Sequence, residues 1–432
     1  MRTNCPIVCA PKITYQLFLT FQKYEFVPTI NAGCMVFSKC EYLPYYIKIM
    51  SIFATLKNTY IMKSKILVLL FVSFVTTVSA QQDLYHLIVG TYTNKCENKG
   101  IYNFKFDVNS GNSLLNGSTV NIQNPSYLAL SSDNKHLYAV NESGATSTVT
   151  SFSYDGKAGK MIVLNRQATK GADPCHVITD DKNVITANYS GGNITVFFKN
   201  ADGSLTDAKQ VVQLSGSGPN KERQEASHMH MVAFSSDKKY VLAVDLGADK
   251  IYVYNYNADA SKDILTFKSS VSVKSGAGPR HLTFDEDGKY VYVLNELDGG
   301  LLTYSFVKGE LTLVDDTSVM ARDYKGDFRS AAIALSPDGK FLYATNRGEA
   351  NTISIFKVLK NGKLEFKEAV STLGKGPRSF VIDPTGSLLL VANQASNEVV
   401  VFRRDKNTGS LTDTEKRISV CEPVHLLFEK RL

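Results

Sequence analysis

"GPRHLTFDEDGKYVYVLNELDGGLLTYSF", residues 278–306, holds short β runs separated by turns. An alternating run from Arg280 meets the acidic turn Asp285-Glu286-Asp287-Gly288, and a β-branched and aromatic run follows from Tyr290 to Leu294. A loop of Asp and Gly then leads into a further run from Leu301. Asp and Gly belong at such a turn because a tight hairpin needs positive φ and a side chain that bonds its own backbone. These acids are therefore expected to be structural.

The same template recurs along the chain. It appears as "NPSYLALSSDNKHLYAVNE" from Asn124, "DPCHVITDDKNVITANYSGGNITVF" from Asp173 and "SHMHMVAFSSDKKYVLAVDLGADKIYVY" from Ser227. It returns as "FRSAAIALSPDGKFLYATNRGEANTISIF" from Phe328 and "GPRSFVIDPTGSLLLVANQASNEVVVF" from Gly376. A period of roughly 50 residues is that of a propeller blade rather than of a helical repeat. The ends fit together as well: "EPVHLLFEKRL" from Glu422 supplies a first strand, while "YHLIVGTYT" and "GIYNFKFD" from Tyr85 and Gly100 supply later ones. The expected fold is all-β, a seven-bladed β-propeller of four-stranded blades, its ring closed by N- and C-terminal strands sharing one blade. Closure in this way leaves no long exposed sheet edge.

Composition narrows the function. The 432 residues are 44% hydrophobic and 21% charged, enough apolar content for a large core. The net charge of +7 is scattered rather than gathered in a basic stripe, which excludes the nucleic-acid-binding class. Cys5, Cys9, Cys34 and Cys40 crowd the first forty residues, and Cys96, Cys175 and Cys421 are spread through the body without metal-ligand spacing. No disulfide framework, structural zinc or cofactor is expected.

Met62-Lys63-Ser64-Lys65, the apolar run "ILVLLFVSFVTTV" and Val78-Ser79-Ala80 have the order of a signal peptide, and the run is too short for a spanning helix. The expected organisation is a dispensable extension over 1–61, a signal over 62–80 and the propeller over 81–432. A start at Met62 implies an exported protein, periplasmic or extracellular, with no stable membrane association after cleavage. An unused signal implies a cytoplasmic one.

The absence of Trp removes the common Gly-His…Trp-Asp propellers. Four motifs, "GAGPRH" at 276–281, "NEL" at 295–297, "SHMH" at 227–230 and "SPDGKFLYATNR" ending at Arg347, instead resemble the bacterial lactonase family of seven-bladed propellers. That family includes the cycloisomerase-type 6-phosphogluconolactonases and the fungal carboxy-muconate lactonizing enzymes. The resemblance covers Tyr85 to Leu432 and implies that His230, Arg280, Glu296 and Arg347 line the active site.

Topology gives a partly independent route to the same place. The first strand of a blade lines the channel and the second runs antiparallel to it, so the entry of one and the exit of the other meet at one face. This places Arg280, His281, His228, His230, Arg378, His176 and His425 at entries, and Glu296, Arg347, Asp245, Tyr189, Glu142 and Tyr92 at exits. Arginine forks bind anions, and His or Glu moves protons near neutral pH. Each residue also has a plainer role open to it: Arg280 as a loop cap, Glu296 as a solvated acid, Arg347 as a binder of carbonyls, the remaining histidines and Arg378 as channel lining. Strand alternation would place His228 and His230 on one side.

The expected reaction is hydrolysis of a sugar lactone, 6-phosphogluconolactone by family implication or a non-phosphorylated aldonolactone if the chain is exported. Glu296 or His230 would be the general base, with Arg280 and Arg347 binding the anion and the oxyanion. The alternatives are a muconate-type lactonizing cycloisomerase and a non-catalytic binding propeller. The segment "GSGPNKERQEASHMH", 216–230, reads equally as a loop crossing the channel mouth and as a solvated insertion.

Overall fold

The computed structural model describes residues 84–320 and 324–429, together with the strands Val8–Cys9 and Cys34–Met35. The chain divides into two units, Met1–Gln81 and Gln82–Leu432. In the first, Val8–Cys9 pairs antiparallel with Cys34–Met35. The expected signal over 62–80 and the rest of the extension lie outside the described residues.

The second unit is a ring of seven four-stranded antiparallel sheets, numbered by their innermost strands: blade 1 from Pro125–Leu130, blade 2 from Pro174–Thr179, blade 3 from Met229–Phe234, blade 4 from Pro279–Phe284, blade 5 from Ser330–Leu335, blade 6 from Pro377–Ile382 and blade 7, the closing blade, from Pro423–Phe428. Blade 4 contains the opening stretch: Pro279–Phe284, Tyr290–Asn295, Gly300–Val307 and Glu310–Ser318. The second strands are buried almost throughout, as in Asn183–Asn188, Phe341–Asn346 and Leu388–Asn393, because a blade is covered on both faces by its neighbours. Alternate residues then serve opposite wedges. Leu242 and Val244 of blade 3 pack with Val291 and Val293 of blade 4, while Val241 and Ala243 pack with Ile185 and Val196 of blade 2. The core therefore lies between blades.

The turn acids are structural, as expected. Asp338 accepts hydrogen bonds from the Ser336 hydroxyl at 2.5 Å and from the Lys340 amide at 3.2 Å, and Gly339 beside it has φ of +65°. The equivalent position in other blades is also left-handed: Asn134, Lys238, Gly288 and Gly386.

In the closing blade, Pro423–Phe428 pairs with Leu84–Thr91 in the register Leu87↔Phe428, Ile88↔Leu427 and Val89↔Leu426. Next to this seam Cys96 and Cys421 form a disulfide with their Cα atoms 6.3 Å apart. Cysteine spacing gave no sign of it, since 325 residues separate partners that only ring closure brings together. Among the described residues it is the one disulfide.

Every inner strand carries an irregularity of register at its entry, between Pro125 and Tyr127, Pro174 and His176, Met229 and Met231, Pro279 and His281, Ser330 and Ile333, Pro377 and Ser379, and opposite Gly90 and Thr91 in the closing blade. A bulge inserts an unpaired residue and re-aims its side chain. The inserted residues include Cys175, His230, Arg280 and Arg378.

Candidate active site

Blade 4 builds the centre of the site from its own two inner strands. The bulge turns Arg280 inward, and Glu296, one residue beyond the second strand, is fixed by its amide bonding to Gly278 O at 2.7 Å. Arg280 Nε then donates to Glu296 Oε2 at 2.8 Å. Its Nη1 donates to Ala331 O at 2.5 Å and lies 3.0 Å from His281 Nε2, while Nη2 donates no hydrogen bond among the described residues.

Two more arginines reach Glu296 Oε1. Arg347 arrives from the second-strand exit of blade 5, its Nη2 at 3.2 Å and its Nε held by Arg329 O at 3.1 Å. Arg223 arrives from the 216–230 segment, its Nη2 at 2.8 Å from Glu296 and 3.4 Å from the Tyr189 hydroxyl. Burial by itself would raise the Glu296 pKa, but Arg347, Arg280 and Arg223 outweigh it and hold the carboxyl well below the usual range. Burial and the Arg347 charge bring Arg280 down to about 9, so it remains a cation at neutral pH.

A second ion group faces the channel from blades 7, 1 and 6. The Tyr92 hydroxyl donates to Glu142 Oε2 at 2.7 Å, Ser126 Oγ donates to Oε1 at 2.5 Å, and Arg378 stands 3.9 Å from Oε1 with its guanidinium over the Tyr92 ring. Its charge also acts on Arg347.

The histidines separate by environment. His230 is buried, edge-on to His281 with centroids 5.3 Å apart, and its Nδ1 lies 3.7 Å from Cys175 Sγ. Burial first and Arg280 second hold it well below the usual imidazole range, so the ring is neutral at pH 7. His228 is committed elsewhere: Nδ1 lies 3.1 Å from Tyr189 O, Nε2 lies 3.0 Å from Glu225, and the ring stacks on Tyr189. The bulge between Met229 and Met231 breaks the alternation that would have made the two histidines equivalent. Beyond them, Tyr127 is sandwiched between His176 at 4.0 Å and His425 at 3.8 Å. Both His176 nitrogens and His425 Nδ1 are buried with no hydrogen-bond partner among the described residues. Burial leaves all three rings of His176, His281 and His425 neutral, His425 at about 3.

The structure thus brings Arg280, Glu296, Arg347, His230, His281 and Tyr189 together, sets Arg378 beside Glu142, and places His176 and His425 with Tyr127. Asp245, expected at the mouth, is instead a fully buried turn clamp that accepts from Ser227 Oγ and from the amides of His228, Gly247 and Ala248. Arg223 was missed, because it lies in an insertion with no counterpart in the repeat. That insertion is not merely solvated: fully buried Gln224 donates to Leu246 O at 2.9 Å and to Asp249 Oδ1 at 2.8 Å.

Comparison with known proteins agrees with this architecture. The chain is 38% identical to a 6-phosphogluconolactonase of Bacillus subtilis over 79% of its length and 97% of the relative's, and 37% identical to one of Formosa agariphila over 77% and 96%. Among solved structures, the periplasmic gluconolactonase of Pseudomonas aeruginosa superimposes with a TM-score of 0.76 at 33% identity, covering 80% of this chain and 99% of that one. The family model described as "Lactonase, 7-bladed beta-propeller" matches residues 86–428, and the chain belongs to that family.

Proposed function

We propose that this protein hydrolyses the ring ester of a sugar-acid lactone in the channel mouth around Glu296. The observation that carries this is a neutral, buried imidazole, His230, beside an arginine cluster locked in place by one ionised carboxylate. A neutral imidazole accepts a proton from water as that water attacks the lactone carbonyl. The oxyanion formed meets Arg280, whose Nη2 donates no hydrogen bond among the described residues. Collapse breaks the bond between the carbonyl carbon and the ring oxygen, and that oxygen takes the proton back from the imidazolium. Glu296, its two oxygens already engaged by three arginines, serves to fix the guanidiniums. His230 is thereby favoured over Glu296 as the base. His281, Tyr189, Arg378, His176 and His425 contact the substrate, and His228 buttresses Tyr189.

The Cys96–Cys421 disulfide and the signal-like run over 62–80 together support export to an oxidising compartment. The periplasmic relative from Pseudomonas aeruginosa is consistent with this. The test is ring opening by the full-length protein, corrected for the spontaneous reaction, with gluconolactone and 6-phosphogluconolactone. Saturable hydrolysis that falls in Arg280→Ala by roughly 10²–10³ in kcat is expected, the usual cost of removing an oxyanion donor. Rates no faster than buffer for both lactones would overturn the assignment.

A further inference from the structure

The two ring nitrogens of His230 stand in different surroundings. Nδ1 lies 3.7 Å from the Cys175 sulfur, whereas Nε2 makes no hydrogen bond among the described residues. Nε2 is thus the nitrogen open to water, and it can take a proton only if the single proton of the neutral ring sits on Nδ1. Which nitrogen carries that proton is set by what the other one meets.

The bulges decide what Cys175 offers to Nδ1. The ladder of blade 3 passes from Met229↔Asp245 to Met231↔Val244 and leaves His230 unpaired. That of blade 2 passes from Pro174 to His176, and the skipped Cys175 turns its side chain to the neighbouring bulge. There Sγ lies 3.3 Å from His230 O and 3.6 Å from Met229 O, both closer than Nδ1. Blades 4 and 5 repeat the contact with other residues: Arg280 donates to the carbonyl of Ala331, which the ladder skips between Ser330 and Ile333. In both wedges an inserted side chain supplies the donor for a carbonyl in the next blade's bulge, and a buried carbonyl left without one is costly.

A thiol has one proton to give. Burial pushes the Cys175 thiol pKa up, so the proton is present at neutral pH. Carbonyl oxygens can only accept, so the S–H belongs to them and a sulfur lone pair is left facing Nδ1. A bare Nδ1 would set lone pair against lone pair, whereas an Nδ1–H donates to the sulfur.

Resting on the reading of His230 as the base, we propose that Cys175 is a positioning residue that fixes His230 as the Nδ1–H tautomer and leaves the Nε2 lone pair for the attacking water. Nε2 gains and returns one proton in each turnover, and Nδ1 keeps its own. The thiol changes neither its proton nor its oxidation state.

Nitrogen NMR of the full-length protein labelled in its histidines reads the tautomer at pH 7 without turnover, with His230→Gln identifying the signals. The wild type is expected to show Nδ1 protonated and Nε2 bare. In Cys175→Ala that preference is expected to be lost, and kcat for opening gluconolactone or 6-phosphogluconolactone to fall about tenfold with KM within about twofold, the scale of one hydrogen bond. Cys175→Ser keeps both a donor and an acceptor and is expected to recover most of kcat. A wild-type ring protonated on Nε2, or an unchanged kcat in Cys175→Ala where His230→Gln is inactive, would overturn the proposal. Full activity in His230→Gln, or no turnover of either lactone by the wild type, would instead overturn the hydrolytic reading with His230 as base. The spectra of the wild type and Cys175→Ala would still decide whether Cys175 sets the tautomer.

Discussion

His230 meets its substrate already deprotonated, and this has consequences for pH. An unperturbed imidazole as base would make kcat/KM fall as pH drops through about 6.5. Burial and Arg280 depress this ring, so the active neutral form persists to lower pH, and we expect no inflection near 6.5 in a profile of kcat/KM from pH 8 to 5. Stability follows the same sign. His176, His230, His281 and His425 all have folded pKa values below their unfolded ones, so the unfolded chain binds more protons on acidification. Their contribution is fully present above about pH 6.5 and is lost as pH falls toward the folded values, about 3 for His425. Urea unfolding from pH 7 to 4 is expected to show the loss, and His176→Phe to flatten it. Because both His176 nitrogens are buried without partners, that substitution should leave stability at pH 7 unchanged or higher, while raising KM if the ring contacts substrate. Glu296→Gln has the opposite character. It leaves Arg280 buried with its principal anion gone, and a loss of about 3–5 kcal/mol in chemical unfolding is expected.

At the scale of elements, the turn and the bulge divide the labour. The Ser336-Pro337-Asp338-Gly339 turn sets the hairpin, and Asp338 also receives Arg404, whose side chain is 1% exposed. Asp338→Ala therefore removes a turn acceptor and the partner of a buried cation, and a destabilisation of roughly 2–4 kcal/mol is expected in thermal or urea unfolding, with kcat unchanged. The hairpins were readable from the sequence because Asp, Gly and strand alternation are local signals. The bulges were not. Whether His228 or His230 enters the channel depends on one extra residue at the strand entry, and the alternation of a regular strand predicts otherwise. The loop ending at Gln224 is an element of the same kind: Gln224→Ala should loosen the hold of Arg223 on Glu296 and raise KM, measured in parallel with Arg223→Ala.

For the whole molecule the decisive event is ring closure. The strands Leu84–Thr91 and Pro423–Phe428 come from opposite ends of the propeller, and the Cys96–Cys421 bond lies beside their seam. Asn98 stitches the same corner, donating to Cys421 O at 2.8 Å and to Tyr92 O at 2.9 Å. The corner therefore also positions Tyr92, which holds Glu142 opposite Arg378. Cys96→Ser with Cys421→Ser is expected to cost about 2–5 kcal/mol against urea, and a reducing agent should lower the wild-type midpoint toward that of the variant.

Blade number, ring closure by shared strands and the meeting of Arg280 and Glu296 at one channel mouth were determined by the sequence itself, because each follows from a local repeat and one rule of strand direction. The tertiary structure alone decided the rest. Arg223 reaches Glu296 across 73 residues of chain, Cys96 reaches Cys421 across 325, and Arg347 crosses from one blade to the next. Nothing in a local pattern encodes which distant side chains the curvature of the ring will bring within a few ångströms, or which histidines it will bury deeply enough to keep neutral.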